Sequence, residues 1–334
     1  METFTSEEQS VRKRDFLLLA AGITTWPFPV FAQVKPVRIG FVFFGTSSNT
    51  YDKSLVDVFR VGLREVGLIE EKDILLDVIW INGDPELAVK EALTRGADIL
   101  VSSGTSTSVA ANAMAGTTPV VFISVGNPLG MGLVQSLARP GRNVTGFSDQ
   151  LADIAGKLVE IAAELSSADS TVIDYLWYTP WPDGYNRFEA TQLAAQKARL
   201  DLRSRTIVNI EGVDDAVAGV KKDGARIVIV QPSPFTYTNR QRVIDIGFKH
   251  GVGTIFAFPV AATEGALVGY GPDYLEMYRK APTYIARIIK GTSPAELPVE
   301  QPTKIQMILN IRTAKALGAD LPLSLLLRAN ELIE

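Results

Sequence analysis

From Val37 onward, short apolar runs alternate with amphipathic stretches. Val37–Phe44, Ile74–Ile81, Ala97–Ser102 and Pro119–Val125 form a first set of runs. Val172–Tyr178, Arg203–Ile210, Ala225–Gln231 and Thr254–Phe258 form a second. Each is five to eight residues long and rich in β-branched side chains, the pattern of strands buried on both faces. Helical periodicity fills the gaps at Lys53–Val66, Pro85–Arg95, Ser106–Ala115, Gly184–Arg199, Val213–Lys222 and Arg240–Lys249. Such alternation predicts mostly parallel sheets with helices on both faces. The first and fourth runs start 82 positions apart in both sets, with little residue identity between the halves, so one plan is used twice without a sequence repeat. A helical stretch, Leu151–Leu165, joins the halves. The tail predicts a strand at Leu267–Tyr270, a long helix over Tyr274–Lys290, a Gly/Pro-rich segment Gly291–Pro302, a strand at Lys304–Asn310 and a closing helix Leu323–Ile333. The fold class read from this order is α/β: two doubly wound parallel-sheet lobes facing each other across a cleft. The first lobe is placed at 36–149 plus about 267–292, and the second at 150–266 plus about 293–334.

The segment before this pattern reads as an address. Arg12, Lys13 and Arg14 precede an apolar stretch, Phe16–Ile23, of only 8 residues, too short to span a bilayer. Val30-Phe31-Ala32 then offers the short residues a signal peptidase reads. Residues 1–32 are therefore expected to be a secretory signal cleaved near Ala32, with a partial likeness to a twin-arginine leader at Lys13-Arg14-Asp15-Phe16-Leu17. The mature protein is expected in the periplasm.

Composition narrows the chemistry. The 334 residues include 33 Lys+Arg and 37 Asp+Glu, a net charge of -4 that leaves no basic excess for nucleic acid. The chain has no cysteine and a single histidine, His250. Thiolate metal sites, Fe–S clusters, Cys nucleophiles and multi-His metal sites are thereby excluded. Gly156-Lys157 lacks the rest of a P-loop, Gly130-Met131-Gly132 is followed by Gln135 where a dinucleotide fingerprint needs its third glycine, and no Gly-x-Ser-x-Gly elbow occurs. No cofactor and no enzymatic activity are expected.

In open parallel sheets ligands bind beyond the carboxyl ends of the strands. The residues that follow each predicted strand are therefore the candidates. In the first half these loops are small and polar: Thr46 to Asn49, Ser103-Gly104-Thr105, and Ser124 with Gly126-Asn127. Glycine lets a ligand approach the backbone, hydroxyls donate or accept, and a loop that opens a helix presents free amides to an anion such as a carboxylate. Thr105 and Asn127 can equally be helix caps. In the second half the loops carry Tyr178, Trp181, Gln231, Ser233 and Phe258, and their aromatics can sandwich a flat group. Phe258 fits lobe packing better than ligand contact.

Longer stretches resemble a known family. Gly62–Gly67 (GLREVG), Gly83–Glu86 (GDPE), Pro119–Asn127 (PVVFISVGN), Gly130–Val134, Ser136–Ser148 (SLARPGRNVTGFS), Leu297–Ile305 (LPVEQPTKI), Leu309–Gly318 and Leu321-Pro322 are similar to segments of periplasmic substrate-binding proteins of ABC transporters, in the family that includes tryptophan- and tyrosine-type binding proteins. The resemblance runs from Pro36 to Glu334. It implies a type I periplasmic-binding fold with a hinge and a ligand enclosed by both lobes. It also implies contacts at Thr46, Ser103, Gly104, Thr105, Ser124, Gly126, Asn127, Phe147, Ser148, Tyr178 and Tyr270. Thr179–Asp183 departs from the Asn-Pro turn usual there. The implied role is a monomeric solute receptor that delivers an amino acid or aromatic carboxylate to an ABC permease and its ATPase. The alternative is a ligand-sensing partner of a membrane receptor.

Overall fold

The computed structural model describes residues 35–81, 83–151, 154–166, 172–181 and 183–334; the leader expected at 1–32 lies outside the described residues. The first sheet contains β1 (Val37–Phe43), β2 (Ile74–Trp80), β3 (Ile99–Ser103), β4 (Val120–Val125) and β5 (Val144–Ser148). Its helices are α1 (Thr50–Glu65), α2 (Pro85–Thr94) and α3 (Thr105–Met114). The order is β2-β1-β3-β4-β5, and every pair is parallel. The chain then builds α4 (Ala155–Leu165), β6 (Val172–Tyr178), α5 (Gly184–Lys197), β7 (Asp201–Ile207), α6 (Gly212–Lys222) and β8 (Ile227–Val230). It continues through α7 (Pro234–Thr238), α8 (Arg240–His250), β9 (Gly253–Phe256), α9 (Val260–Thr263) and β10 (Val268–Pro272). These strands pair in the order β7-β6-β8-β9-β10, the same plan as the first sheet, which is the physical meaning of the equal 82-residue spacing. Apolar runs of Val, Ile and Leu make the central strands; Ile39, Leu100, Val121, Ile229 and Ile255 are fully buried or nearly so.

The tail departs from its expected form. The chain returns to the first lobe as two helices, α10 (Tyr274–Lys280) and α11 (Pro282–Ile289), because Pro282 has no amide to continue a helix and opens a new one at its first position. β11 (Ile305–Asn310) then runs antiparallel to β10, followed by α12 (Ile311–Leu317), α13 (Leu323–Arg328) and β12 (Glu331–Ile333). The closing helix stops at Arg328 because Asn330 exchanges hydrogen bonds with Met307, its amide donating at 2.8 Å and its side chain accepting at 2.7 Å. That pairing seats β12 beside β11.

Two expected lobe boundaries change. Val268–Pro272, expected in the first lobe, is hydrogen-bonded between β9 and β11 in the second sheet. Residues 293–303, expected in the second lobe, stay on the first sheet's edge: Ser148 and Glu300 bond at 2.8 Å, and Val299 donates to Leu137 at 2.7 Å. The strand β5 has no counterpart among the sequence-derived strands, since Thr145, Gly146 and Ser148 interrupt its apolar run.

The contact of α10 and α11 with α1 ties the returning chain to the first lobe. Gly62 faces the carbonyl of Arg279 and the ring of Pro282, so a Cβ there would collide with both. Gly62→Ala is expected to cost about 1–3 kcal/mol through overpacking. Urea denaturation checks this, and an unchanged midpoint would contradict the close packing.

Candidate ligand-binding cleft

The carboxyl ends of both sheets converge on one cavity with about 560 Å³ free of protein atoms, part of it open to solvent. From the first lobe, Phe44 follows β1, Ser103-Gly104-Thr105 leads from β3 into α3, Ser124 and Gly126 flank the end of β4, and Asp149 follows β5. Tyr274 and Tyr278 enter from α10. From the second lobe come Trp181 beyond β6, Arg187 on α5, Pro232–Pro234 beyond β8, Tyr237 on α7 and Phe258 beyond β9.

Local geometry explains why these residue types sit here. Gly104 caps α3 at φ 84, a left-handed conformation that glycine adopts without strain, and no side chain covers the first amides of the helix. Ser124 takes φ 64, and its hydroxyl donates to Asp149 at 2.8 Å. Asp149 is 2% exposed and also accepts from the Leu151 amide at 3.2 Å. Burial pushes its carboxyl above the usual carboxylate range, against the opposing pull of Ser124 and of the Arg187 charge.

Arg187 is the second buried charge, 7% exposed. Its Nε donates to Asp183 at 2.8 Å, and its guanidinium lies 5.0 Å over the Trp181 ring. A Cβ on Gly126 would strike the Nη2 atom, so glycine there lets Arg187 of one lobe approach the backbone of the other. Its Nη1 is buried with no hydrogen-bond partner among the described residues. The Tyr274 hydroxyl is likewise buried without a partner of hydrogen-bond geometry. The remaining wall is aromatic: Tyr237 meets Phe258 edge-on at 5.0 Å, and Phe258 lies 6.2 Å from Tyr274.

Seven of the residues expected as ligand contacts line this cavity: Ser103, Gly104, Thr105, Ser124, Gly126, Trp181 and Ser233; Phe258, expected in lobe packing, is buried in the core and also lines it. Ser233 also closes a capping box with Thr236 at the start of α7. Thr46 and Asn49 lie beside it at the lobe seam, where the Thr46 amide donates to Asp52 at 2.8 Å and Asn49 caps α1.

The others fall elsewhere. Asn127 opens a turn, not a helix, accepting from the Gly130 amide at 2.8 Å, and it lines a neighbouring hollow behind Arg187. Phe147 packs against Tyr284 at 4.9 Å, and Ser148 is held by Glu300 at the interlobe crossing. Tyr178 stacks on Phe235 with ring centres 4.2 Å apart. Gln231 is fully buried, accepting from the Tyr178 amide and donating to the Gly184 carbonyl; these bonds tie β8 to β6 and α5. Tyr270 projects from β10 near Glu160 and Arg328 and does not line the cavity.

Sequence reasoning did not single out Arg187, Asp149, Tyr237, Tyr274 or Tyr278. Asp149 directly follows β5, and because β5 was not legible as a strand the strand-end rule did not reach it. Arg187 lies four residues after Asp183 on a helix, a spacing that ordinarily marks a solvated ion pair, and only tertiary packing buries it.

The architecture defines a class: two α/β lobes of repeated plan, joined by crossing segments, with a polar and aromatic cavity between their strand ends. Residues 49–333 match the family model described as ABC transporter substrate binding protein, so the chain belongs to that family. A curated tyrosine-binding protein from Clostridioides difficile is 24% identical over 221 residues, 66% of this chain and 63% of the relative's own length. Among solved structures, an ABC domain from Streptococcus pneumonia in complex with L-Trp has a TM-score of 0.80 at 21% identity, covering 89% of this chain and 100% of that one. A ligand-free, open substrate binding protein with adhesive properties from Clostridium difficile has a TM-score of 0.66 at 20% identity, covering 89% of this chain and 99% of that one. The fold is the type I periplasmic-binding fold.

Proposed function

We propose that this protein is the solute receptor of an ABC importer. It encloses a small carboxylate-bearing molecule with a flat side group, an aromatic amino acid being the best match, and passes it unaltered to a membrane permease driven by its ATPase. The observation that carries the reading is Arg187, a residue lining the cavity whose buried Nη1 atom has no hydrogen-bond partner among the described residues. A buried guanidinium N–H left unmade is costly, and a ligand carboxylate supplies the missing acceptor. Asp149 on the opposite lobe is the matching acceptor for an ammonium group, and the Tyr274 hydroxyl beside Ser124 can bond the same polar end. Trp181, Phe258 and Tyr237 supply surface for a ring.

A zwitterion held by Asp149 of one lobe and Arg187 of the other bridges the cleft, so binding favours the closed arrangement by the difference in contacts between open and closed. The tyrosine-binding relative and the L-Trp complex support the choice of ligand class. Export to the periplasm by a cleaved leader and a monomeric state fit this role. Among the described residues no helix is long and apolar enough to cross a membrane.

The test is a thermal-shift screen of L-tryptophan, L-tyrosine, L-leucine and phenylacetate. A ligand at 100 times its dissociation constant adds about 2.7 kcal/mol of stability. An aromatic member should raise the melting temperature most; no shift with any of them would reject the reading. Trp181→Ala is then expected to weaken an aromatic ligand by about 0.5–1.5 kcal/mol more than L-leucine. Equal losses in calorimetry would remove Trp181 from the ring contact.

A further inference from the structure

A second set of buried charges lies beside the cavity, at the seam between the lobes. Asp52, in the first turn of α1, is 1% exposed and belongs to the first lobe. Arg240, at the start of α8, is 3% exposed and belongs to the second. Arg240 grips Glu264 of its own lobe with two bonds, 2.7 and 2.9 Å, and reaches across to Asp52 at 3.5 Å. Asn49 of the first lobe reaches back to Glu264 at 3.4 Å. Tyr237 joins the two systems: its ring lines the cavity and lies 4.4 Å under the Arg240 guanidinium, while its hydroxyl donates to Asp52 at 2.8 Å. One cation therefore stands between two carboxylates that approach from opposite lobes.

We propose that Arg240 is the bolt of an interlobe lock, bridging Asp52 and Glu264, and that it is a positioning residue for ligand capture. Asp52 and Arg240 do not line the cavity, so neither is needed to touch a ligand. Without the guanidinium, closure would bring two carboxylates together in a place that excludes water, and like charges so placed oppose association strongly. With it, the seam closes around an alternating row of charges. The Tyr237 ring belongs to the cavity wall and its hydroxyl to the lock, so filling the cavity and setting the bolt use one side chain. That link to capture rests on the proposed function; the lock itself does not need a ligand.

The chain has no cysteine, so two introduced thiols are the only labels. Spin labels at Lys53→Cys and Arg242→Cys, both exposed positions flanking the seam on opposite lobes, report the interlobe distance in the ligand-free full chain. The parent should show a short-distance population. Arg240→Gln should lower its ratio to the long-distance population about tenfold or more, and Tyr237→Phe should lower it by a smaller factor. Adding Asp52→Asn to Arg240→Gln should restore most of the short-distance population, because it removes the repulsion; a merely structural role for Arg240 gives no such rescue. The lock is overturned by a parent with long distances only, by equal populations in parent, Arg240→Gln and Tyr237→Phe, or by failure of the double variant to recover. Any co-purified molecule is first removed by unfolding and refolding, so failure of the ligand assignment leaves this measurement intact.

Discussion

Arg187→Gln is expected to lose ligand binding more completely than any other single change in the cavity. Truncating one partner of a buried, hydrogen-bonded charge pair costs about 2–5 kcal/mol of binding, or roughly 30-fold to several thousand-fold in affinity. The same change leaves Asp183, 7% exposed, without its 2.8 Å partner, and an uncompensated buried charge costs about 3–5 kcal/mol of stability. The two losses separate in the double variant Arg187→Gln with Asp183→Asn. Stability should return, because no lone buried charge remains, while binding should stay lost. Calorimetric titration together with thermal melts checks both. Recovery of binding in the double variant would mean that Arg187 acts only by holding α5 in place.

Asp149→Asn should move stability and binding in opposite directions. The carboxyl's pKa in the folded protein is raised, chiefly by burial, so the fold favours its protonated form. The contribution of this group is then fully present below the unfolded pKa and is lost as pH rises through the elevated folded value. Asparagine keeps an acceptor for Ser124 and carries no charge. The ligand-free variant should melt higher than the parent at neutral pH, and the gap should close as pH falls. Binding of an amino acid should weaken by about 1.5–3 kcal/mol, the usual worth of a hydrogen bond to a charged group. A carboxylate without an amino group, such as phenylacetate, should bind no worse. A variant that melts lower at neutral pH, or that loses both ligand types equally, would contradict the assigned role.

How much of this was legible in the sequence differs by element. The central strands and most helices were, because runs such as Val120–Val125 are apolar on both faces and Asp84-Pro85 announces the start of α2 with a cap and a proline. β5 was not, because its residues make a strand only through pairing with β4. β12 was not, because a helical periodicity continued past Arg328 while Asn330 took up backbone bonds from β11. Small loops at strand ends singled out Ser103, Gly104, Thr105, Ser124 and Gly126, and these line the cavity. The same logic over-reached at Gln231 and Tyr178, whose polar and aromatic groups bind the lobe to itself. The charged residues that give the cleft its chemistry lie on helices and crossings. Asp52, Asp149, Arg187 and Arg240 look like solvated surface in one dimension and are buried only by tertiary packing.

Native mass spectrometry of the freshly purified chain tests the central claim most directly. The account predicts one small molecule per chain, of a mass fitting an amino acid or aromatic acid, bound by the parent and absent from the Arg187→Gln, Asp183→Asn double variant. A bare parent that also takes up none of L-tryptophan, L-tyrosine or phenylacetate when these are added would contradict it.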